Sequence, residues 1–161
     1  MRKSSLFLFL MFSGALVDAQ PRVKDKAEVL IEDVRRQSVV SIRLTVKITS
    51  DSKLFVPFCG ELNGGPELCD LAVTVEALSK RRWRSAIAAC GSALPGGFPL
   101  TKSLELTPGK SQLFVYEFAA DYFKLTRGQR LRLRLDVWPD ESSVAHTAER
   151  REIYSSQFSL P

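Results

Sequence analysis

Polar and apolar residues alternate without a break from Gln129 to Trp138, where Leu131, Leu133, Leu135 and Val137 interleave with Arg130, Arg132, Arg134 and Asp136. Period two over that length predicts a strand with one dry face and one wet, cationic face. Ser38 to Thr49 repeats the pattern, with Val40, Ile42, Leu44, Val46 and Ile48 on one side and Ser41, Arg43, Thr45, Lys47 and Thr49 on the other. Its length suggests a strand near the middle of a sheet. Leu104 and Leu106 alternate with polar residues up to Thr107-Pro108-Gly109-Lys110, where proline followed by glycine fits a type II turn. Gln112 to Phe118 is aromatic and β-branched and reads as the next strand. Arg127-Gly128 marks the turn before Gln129.

Weaker segments complete the set. Glu28 to Val34 is expected to form an edge strand, and Leu71 to Leu78 a strand that turns through Lys80-Arg81-Arg82 into a second arm, Trp83 to Ala89. Leu54 to Phe58 contains Pro57, which cannot donate a ladder bond, so this piece is expected to be short, at an edge or bulged. Ala119 to Lys124 has room for one helical turn, and Ile153 to Leu160 closes the chain as a strand. Gly60 to Pro66, Gly91 to Pro99 and Pro139 to Arg151 have loop compositions. Some seven to nine strands with no long helical pattern imply an all-β, antiparallel sandwich with Greek-key connections. An up-and-down barrel is the competitor, and the uneven strand lengths and long loops favour the sandwich.

The first 19 residues stand apart. Arg2 and Lys3 precede an apolar run from Leu6 to Phe12, and Val17-Asp18-Ala19 supplies a cleavage pattern before Gln20. We read 1–19 as a signal peptide, too short and too interrupted to span a bilayer, and 20–161 as a single domain that is secreted or periplasmic. The whole chain carries 23 Lys and Arg against 18 Asp and Glu, a net charge of +5. That excess favours acidic partners in general.

Thr49-Ser50-Asp51-Ser52 followed by Leu54-Phe55-Val56-Pro57, the segments LELTPGKSQLF and LTRGQRLRLRLDV, and the closing SSQFSL together resemble secreted bacterial immunoglobulin-like domains. Gln129-Arg130-Leu131 stands where many such domains begin the penultimate strand with a tyrosine. The resemblance implies an immunoglobulin-like sandwich, a fold that hosts adhesins, inhibitors, chaperones and carbohydrate-binding modules alike.

Chemistry-bearing residues are few. Cys59, Cys69 and Cys90 allow one bridge and one leftover thiol. The preferred pairing is Cys59 with Cys90, clipping the Trp83 hairpin to the preceding strand; the alternative is Cys59 with Cys69, closing the Gly60 loop. The leftover is expected to be buried as a small apolar residue, with a covalent dimer as its other use and a monomer as the default. One histidine, His146, with no nucleophile motif beside it, gives no support for a hydrolase. Glu149 with Glu152, and Asp140 with Glu141, read as loop charges. No phosphate-binding loop or metal-ligand spacing is present, so neither cofactor nor metal is expected.

The basic residues remain. Lys80, Arg81, Arg82, Trp83 and Arg84 gather four cations round an aromatic at a hairpin tip, Arg130, Arg132 and Arg134 line one strand face, and Arg43 with Lys47 could extend such a stripe. These are the candidate binding surface for an anionic glycan or a protein partner, weighed against the ordinary solvent-facing strand that also carries alternating charge. Nucleic acid is not expected, because the aromatics occupy core-facing positions. Trp138 reads either as a rim contact or as a core plug. The expected function is therefore an exported, non-enzymatic binding or structural module of the envelope or secretome. Its alternative is an inhibitor-like or chaperone-like module that pairs through a strand edge.

Overall fold

The computed structural model describes residues 27–86, 102–119, 124–144 and 149–161. The signal-peptide segment 1–19, the Gly91 to Pro99 loop, Cys90, His146 and most of the expected helical turn at 119–124 lie outside the described residues.

Eleven strands occur among the described residues: β1 (Ala27–Arg36), β2 (Val40–Ile48), β3 (Leu54–Leu62), β4 (Gly65–Leu68), β5 (Val73–Ser79), β6 (Arg82–Ser85), β7 (Lys102–Leu106), β8 (Ser111–Phe118), β9 (Arg130–Val137), β10 (Arg151–Tyr154) and β11 (Phe158–Ser159). One sheet has the order β1-β2-β8-β4-β3-β7. The other runs β10-β9-β5-β6, with β11 also paired to β9. Glu141–Ser143 forms a single 3-10 turn. The chain is thus all-β in two sheets. Strand pairing among the described residues is antiparallel except between β4 and β8, at Glu67 and Val115, and an isolated bridge between Val29 and Ser155 is also parallel.

Both alternating segments behave as their pattern demands. Val40, Ile42, Leu44, Val46 and Ile48 of β2 are buried, as are Leu131, Leu133, Leu135 and Val137 of β9. With Val73, Val75 and Ala77 of β5 and Phe114, Tyr116 and Phe118 of β8 they form one apolar cluster between the sheets. The sheets are also tied at two margins. Phe55 and Trp138 exchange backbone hydrogen bonds of 2.7 and 2.9 Å, which makes Trp138 a buried plug at the strand end. On the other side Ser156 donates its backbone N–H to Val29 at 2.9 Å, and its hydroxyl accepts from Ile31. Tyr116 donates its hydroxyl to Asp70 at 3.1 Å. Burial first, and the Asp70 charge second, push that phenol far above its usual value, so it remains a donor.

The turn at Thr107–Lys110 closes with a 3.1 Å bond from Lys110 N–H to Thr107 carbonyl, and Gly109 supplies the positive φ, +74°. Elsewhere three expectations need correction. Gly60 to Pro66 is not an open loop: Asn63 (φ 49°) and Gly64 (φ 85°) make a two-residue hairpin turn between β3 and β4. Two successive positive φ angles give a turn whose twist matches that of paired strands, and Asn-Gly is the sequence best suited to it. Strand β3 is also longer than expected and lies inside its sheet. Pro57 is accommodated because register pairing with β4 begins only at Phe58, and the expected bulge falls just beyond, between Phe58 and Gly60.

The third correction is the disulfide. Cys59 bonds to Cys69, with a Cα–Cα distance of 5.2 Å, and not to the preferred Cys90. Cys59 occupies the bulge of β3 and Cys69 follows the end of β4, so the hairpin itself brings the pair within bridging range. On the chain-entropy model so short a loop contributes about 2.5–3 kcal/mol. Cys69, expected as the leftover thiol, is instead buried within the bridge.

Leu133 has no accessible surface and lies in the central strand of its sheet. Leu133→Ala is therefore expected to lower the unfolding free energy by about 3–5 kcal/mol, measured as a shift in urea midpoint at constant slope.

Candidate functional site

The register of the second sheet decides what happens to the charged face of β9. Arg132 stands opposite Glu76 and Arg134 opposite Thr74 on β5. On the other side Asp136 stands opposite Glu152, and Arg134 opposite Tyr154, on β10. Cross-strand neighbours on one face of a sheet are close enough to interact directly. Arg132 donates from Nε to Glu76 at 2.7 Å, and its Nη2 lies 2.7 Å from the same carboxylate oxygen. Its guanidinium is stacked between two rings, 4.6 Å from the centre of Trp83 and 4.3 Å from that of Tyr154. Trp83 reaches this face because it pairs with Leu78 across the β5–β6 hairpin.

The next arginine is held by ion pairs, although its buried Nε and the Asp136 Oδ1 that it faces form no hydrogen bond. Arg134 donates to the Thr74 hydroxyl at 3.0 Å and lies 3.5 Å from Asp136 and 3.6 Å from Glu152. Arg150 approaches Asp136 at 3.2 Å and Glu152 at 3.8 Å. Tyr154 donates its hydroxyl to Glu152 at 2.7 Å. Burial, then that bond to Glu152, raise the Tyr154 phenol above its ordinary value. Arg130, at the exposed start of β9, donates to Gln157. Arg132, Arg134 and Arg150 are thus matched by Glu76, Asp136 and Glu152, and this part of the face is neutral where the sequence suggested a cationic stripe; Arg130, bonded to the neutral Gln157, keeps its charge at the exposed end. Arg43 and Lys47 do not extend it, since both lie on β2 in the other sheet.

The hairpin tip is different. Lys80, Arg81, Arg82 and Arg84 are exposed, with Trp83 half-buried between them, and none of the four forms an ion pair with another described residue. Lys80 (φ 47°) and Arg81 (φ 65°) both hold left-handed backbone, which costs a non-glycine residue about 1–2 kcal/mol. Of the candidate residues, then, the structure leaves Lys80, Arg81, Arg82 and Arg84 available to a partner, commits Trp83, Arg132 and Arg134 to internal contacts, and leaves Arg130 exposed with Gln157 as its hydrogen-bond partner. The partners that sequence reasoning missed are Glu76 and Glu152. A charge inside the apolar run Val73 to Leu78 was the available signal for the first of them.

Among the described residues no group of three His, Cys, Asp or Glu side chains is placed to hold a metal, and no helix is long and apolar enough to cross a membrane. No protein-family model matches the chain, and no curated protein matches it by sequence. Among solved structures it is similar to a β-glucosidase from Kluyveromyces marxianus, at 13% identity and a TM-score of 0.33, over 85% of this chain and 15% of that one.

Asp136 gives the charged face a pH signature. It is 4% exposed, and burial raises its carboxyl above the ordinary 3.8, a larger effect than the opposing pull of Arg150 and Arg134. The folded protein therefore holds this proton more tightly than the unfolded chain. The stabilisation is full below about 3.8 and is lost as pH rises through the folded-state value. Asp136→Asn is expected to flatten stability against pH in the window above 3.8, read from urea unfolding across that range. A variant curve that keeps the wild-type slope there would mean that Asp136 does not carry it.

Proposed function

We propose that this protein is an exported, non-enzymatic, immunoglobulin-like binding module that holds an anionic glycan through the tip of its β5–β6 hairpin. The observation that carries this reading is a contrast between two turns. At Asn63-Gly64 the chain builds a two-residue hairpin from the residues that adopt positive φ most cheaply. At Lys80-Arg81 it builds another turn with two successive positive φ angles from two long cations. Backbone strain held at an exposed position is a mark of function. Here the strained residues are also the cations that the rest of the sheet does not neutralise.

Export is supported by the leader pattern of 1–19 and by the Cys59–Cys69 bridge, which suits an oxidising compartment. Two sheets sharing one core are compatible with the immunoglobulin-like arrangement that the sequence resembles. The non-enzymatic reading draws on the engagement of Glu76, Asp136 and Glu152 with arginines, which occupies these carboxylates. A polymeric anion suits the tip better than a packed protein partner. The exposed large apolar residues among those described are Leu30, Val39 and Tyr154, and a protein interface needs an apolar centre. Strand addition has less support. Edge strand β6 is four residues long with Arg82 and Arg84 on it, and Ser156 occupies part of the β1 margin.

The test replaces the tip by its cheaper counterpart, Lys80→Asn with Arg81→Gly. We expect this double variant to gain about 1–2 kcal/mol of stability through relief of strain. It is also expected to lose about tenfold or more in affinity for a uronate-rich or sulfated polysaccharide. A control removes the same charge from exposed positions elsewhere, Lys47→Gln with Lys110→Gln. Equal losses in the two variants would reduce the interaction to net charge and overturn the assignment to the tip.

A further inference from the structure

A cleft of about 280 Å³ opens on the outer face of the six-stranded sheet, remote in sequence from the hairpin just described. Its floor is β2, at Ser41 and Arg43. Asp33 and Arg35 of β1 line one side, and Asn63 with Glu117 of β8 line the other. Two irregularities frame it. The register of β1 shifts between Ile31 and Asp33, and the Asn63–Gly64 turn is stapled at its base by the Cys59–Cys69 bridge.

The charges in this cleft do not pair as the register would suggest. Asp33 stands directly opposite Arg43 yet turns to Arg35, whose Nε donates to it at 2.6 Å. Glu117 accepts from the Asn63 side-chain amide at 3.3 Å. The Nε of Arg43 is buried with no hydrogen-bond partner, and Arg43 forms no ion pair among the described residues. Arg43 is half-buried, and its Nε–H, withdrawn from water without an acceptor, is the costly part; an anion entering the cleft could accept from it.

The surroundings narrow the anion. Asp33 and Glu117 stand close by, and the four charged groups sum to zero, so a doubly charged phosphate or sulfate would meet repulsion. A single carboxylate matches the one guanidinium without a partner and suits its two-pronged geometry. Gln37, Ser41 and the Asn63 carbonyl are neutral groups suited to hydroxyls, and Val39, 37% exposed, offers a small apolar contact. The volume falls near the lower end of small-molecule sites, which is room for one sugar-sized molecule. We propose that this cleft binds a small hydroxylated carboxylate, of the sugar-acid class, with Arg43 gripping the carboxylate. The site is independent of the hairpin tip and does not rest on its function.

The experiment is a nitrogen-resolved NMR titration of the oxidised full chain with D-glucuronate at millimolar concentration, followed at the Arg43 Nε–H and at the amides of Ser41 and Asn63. Saturable shifts centred on these groups are expected. D-glucose, which has the hydroxyls without the carboxylate, should bind about 10- to 100-fold more weakly. Arg43→Gln is expected to show a loss of the same size, and Arg43→Lys, which keeps charge but not the fork, should fall between. An unchanged spectrum away from β2 shows that each variant is folded. Three results would overturn the proposal: no shift at the cleft, glucuronate affinity unaltered in Arg43→Gln, or inorganic phosphate binding as tightly as glucuronate.

Discussion

Strand β9 has to satisfy two environments at once, and the rest of the molecule is arranged around that demand. Its inward row, Leu131, Leu133, Leu135 and Val137, is wholly removed from water. Its outward row carries Arg132, Arg134 and Asp136 with strands on both sides. Charges in the middle of a sheet keep little of their hydration, so each needs a partner at the right register position. Glu76 comes from β5, Glu152 from β10 and Arg150 from the residue just before it, while Trp83 and Tyr154 cover the faces of Arg132. A one-residue slip of β10 would send Ile153 to the solvent and separate Glu152 from Arg134 and Arg150. The polar face and the apolar face therefore specify the same register.

The same network redistributes the charge of the surface. A chain with a net charge of +5 and three arginines in alternation on one strand suggests a cationic plane. The structure instead neutralises most of that plane and gathers four exposed cations at the end of one hairpin. An exposed loop end on a rigid pair of sheets is where recognition is usually carried. The Arg43 cleft on the opposite sheet follows the converse logic. There a carboxylate stands opposite an arginine but is taken by another one, so the buried Nε–H of Arg43 is left without an acceptor.

The strands with the clearest alternation were legible because both contribute to one core, and period two survives wherever one face is dry. Position 63–64 was not read, because Gly60, Asn63, Gly64, Gly65 and Pro66 suggest a loop by composition and the flanking alternation is weak. The Asn-Gly pair was the signal, and missing it also misdirected the disulfide, since Cys59 meets Cys69 only if the hairpin forms. The fate of the arginines was harder to read. Glu76 and Arg132 are 56 positions apart, and their meeting depends on which strands become neighbours, something no local pattern encodes.

The side-chain proton spectrum of Arg132 addresses the neutral face most directly. Held between two rings and bonded to Glu76, its Nε–H is expected to be displaced by ring currents, to exchange slowly with water and to stay in place when a polyanion is added. A resonance at the position of a free arginine, moving as polyanion is titrated in, would contradict this structure of the face. Arg132 would then belong to an open cationic surface, and the hairpin tip would lose its claim to be the point of contact.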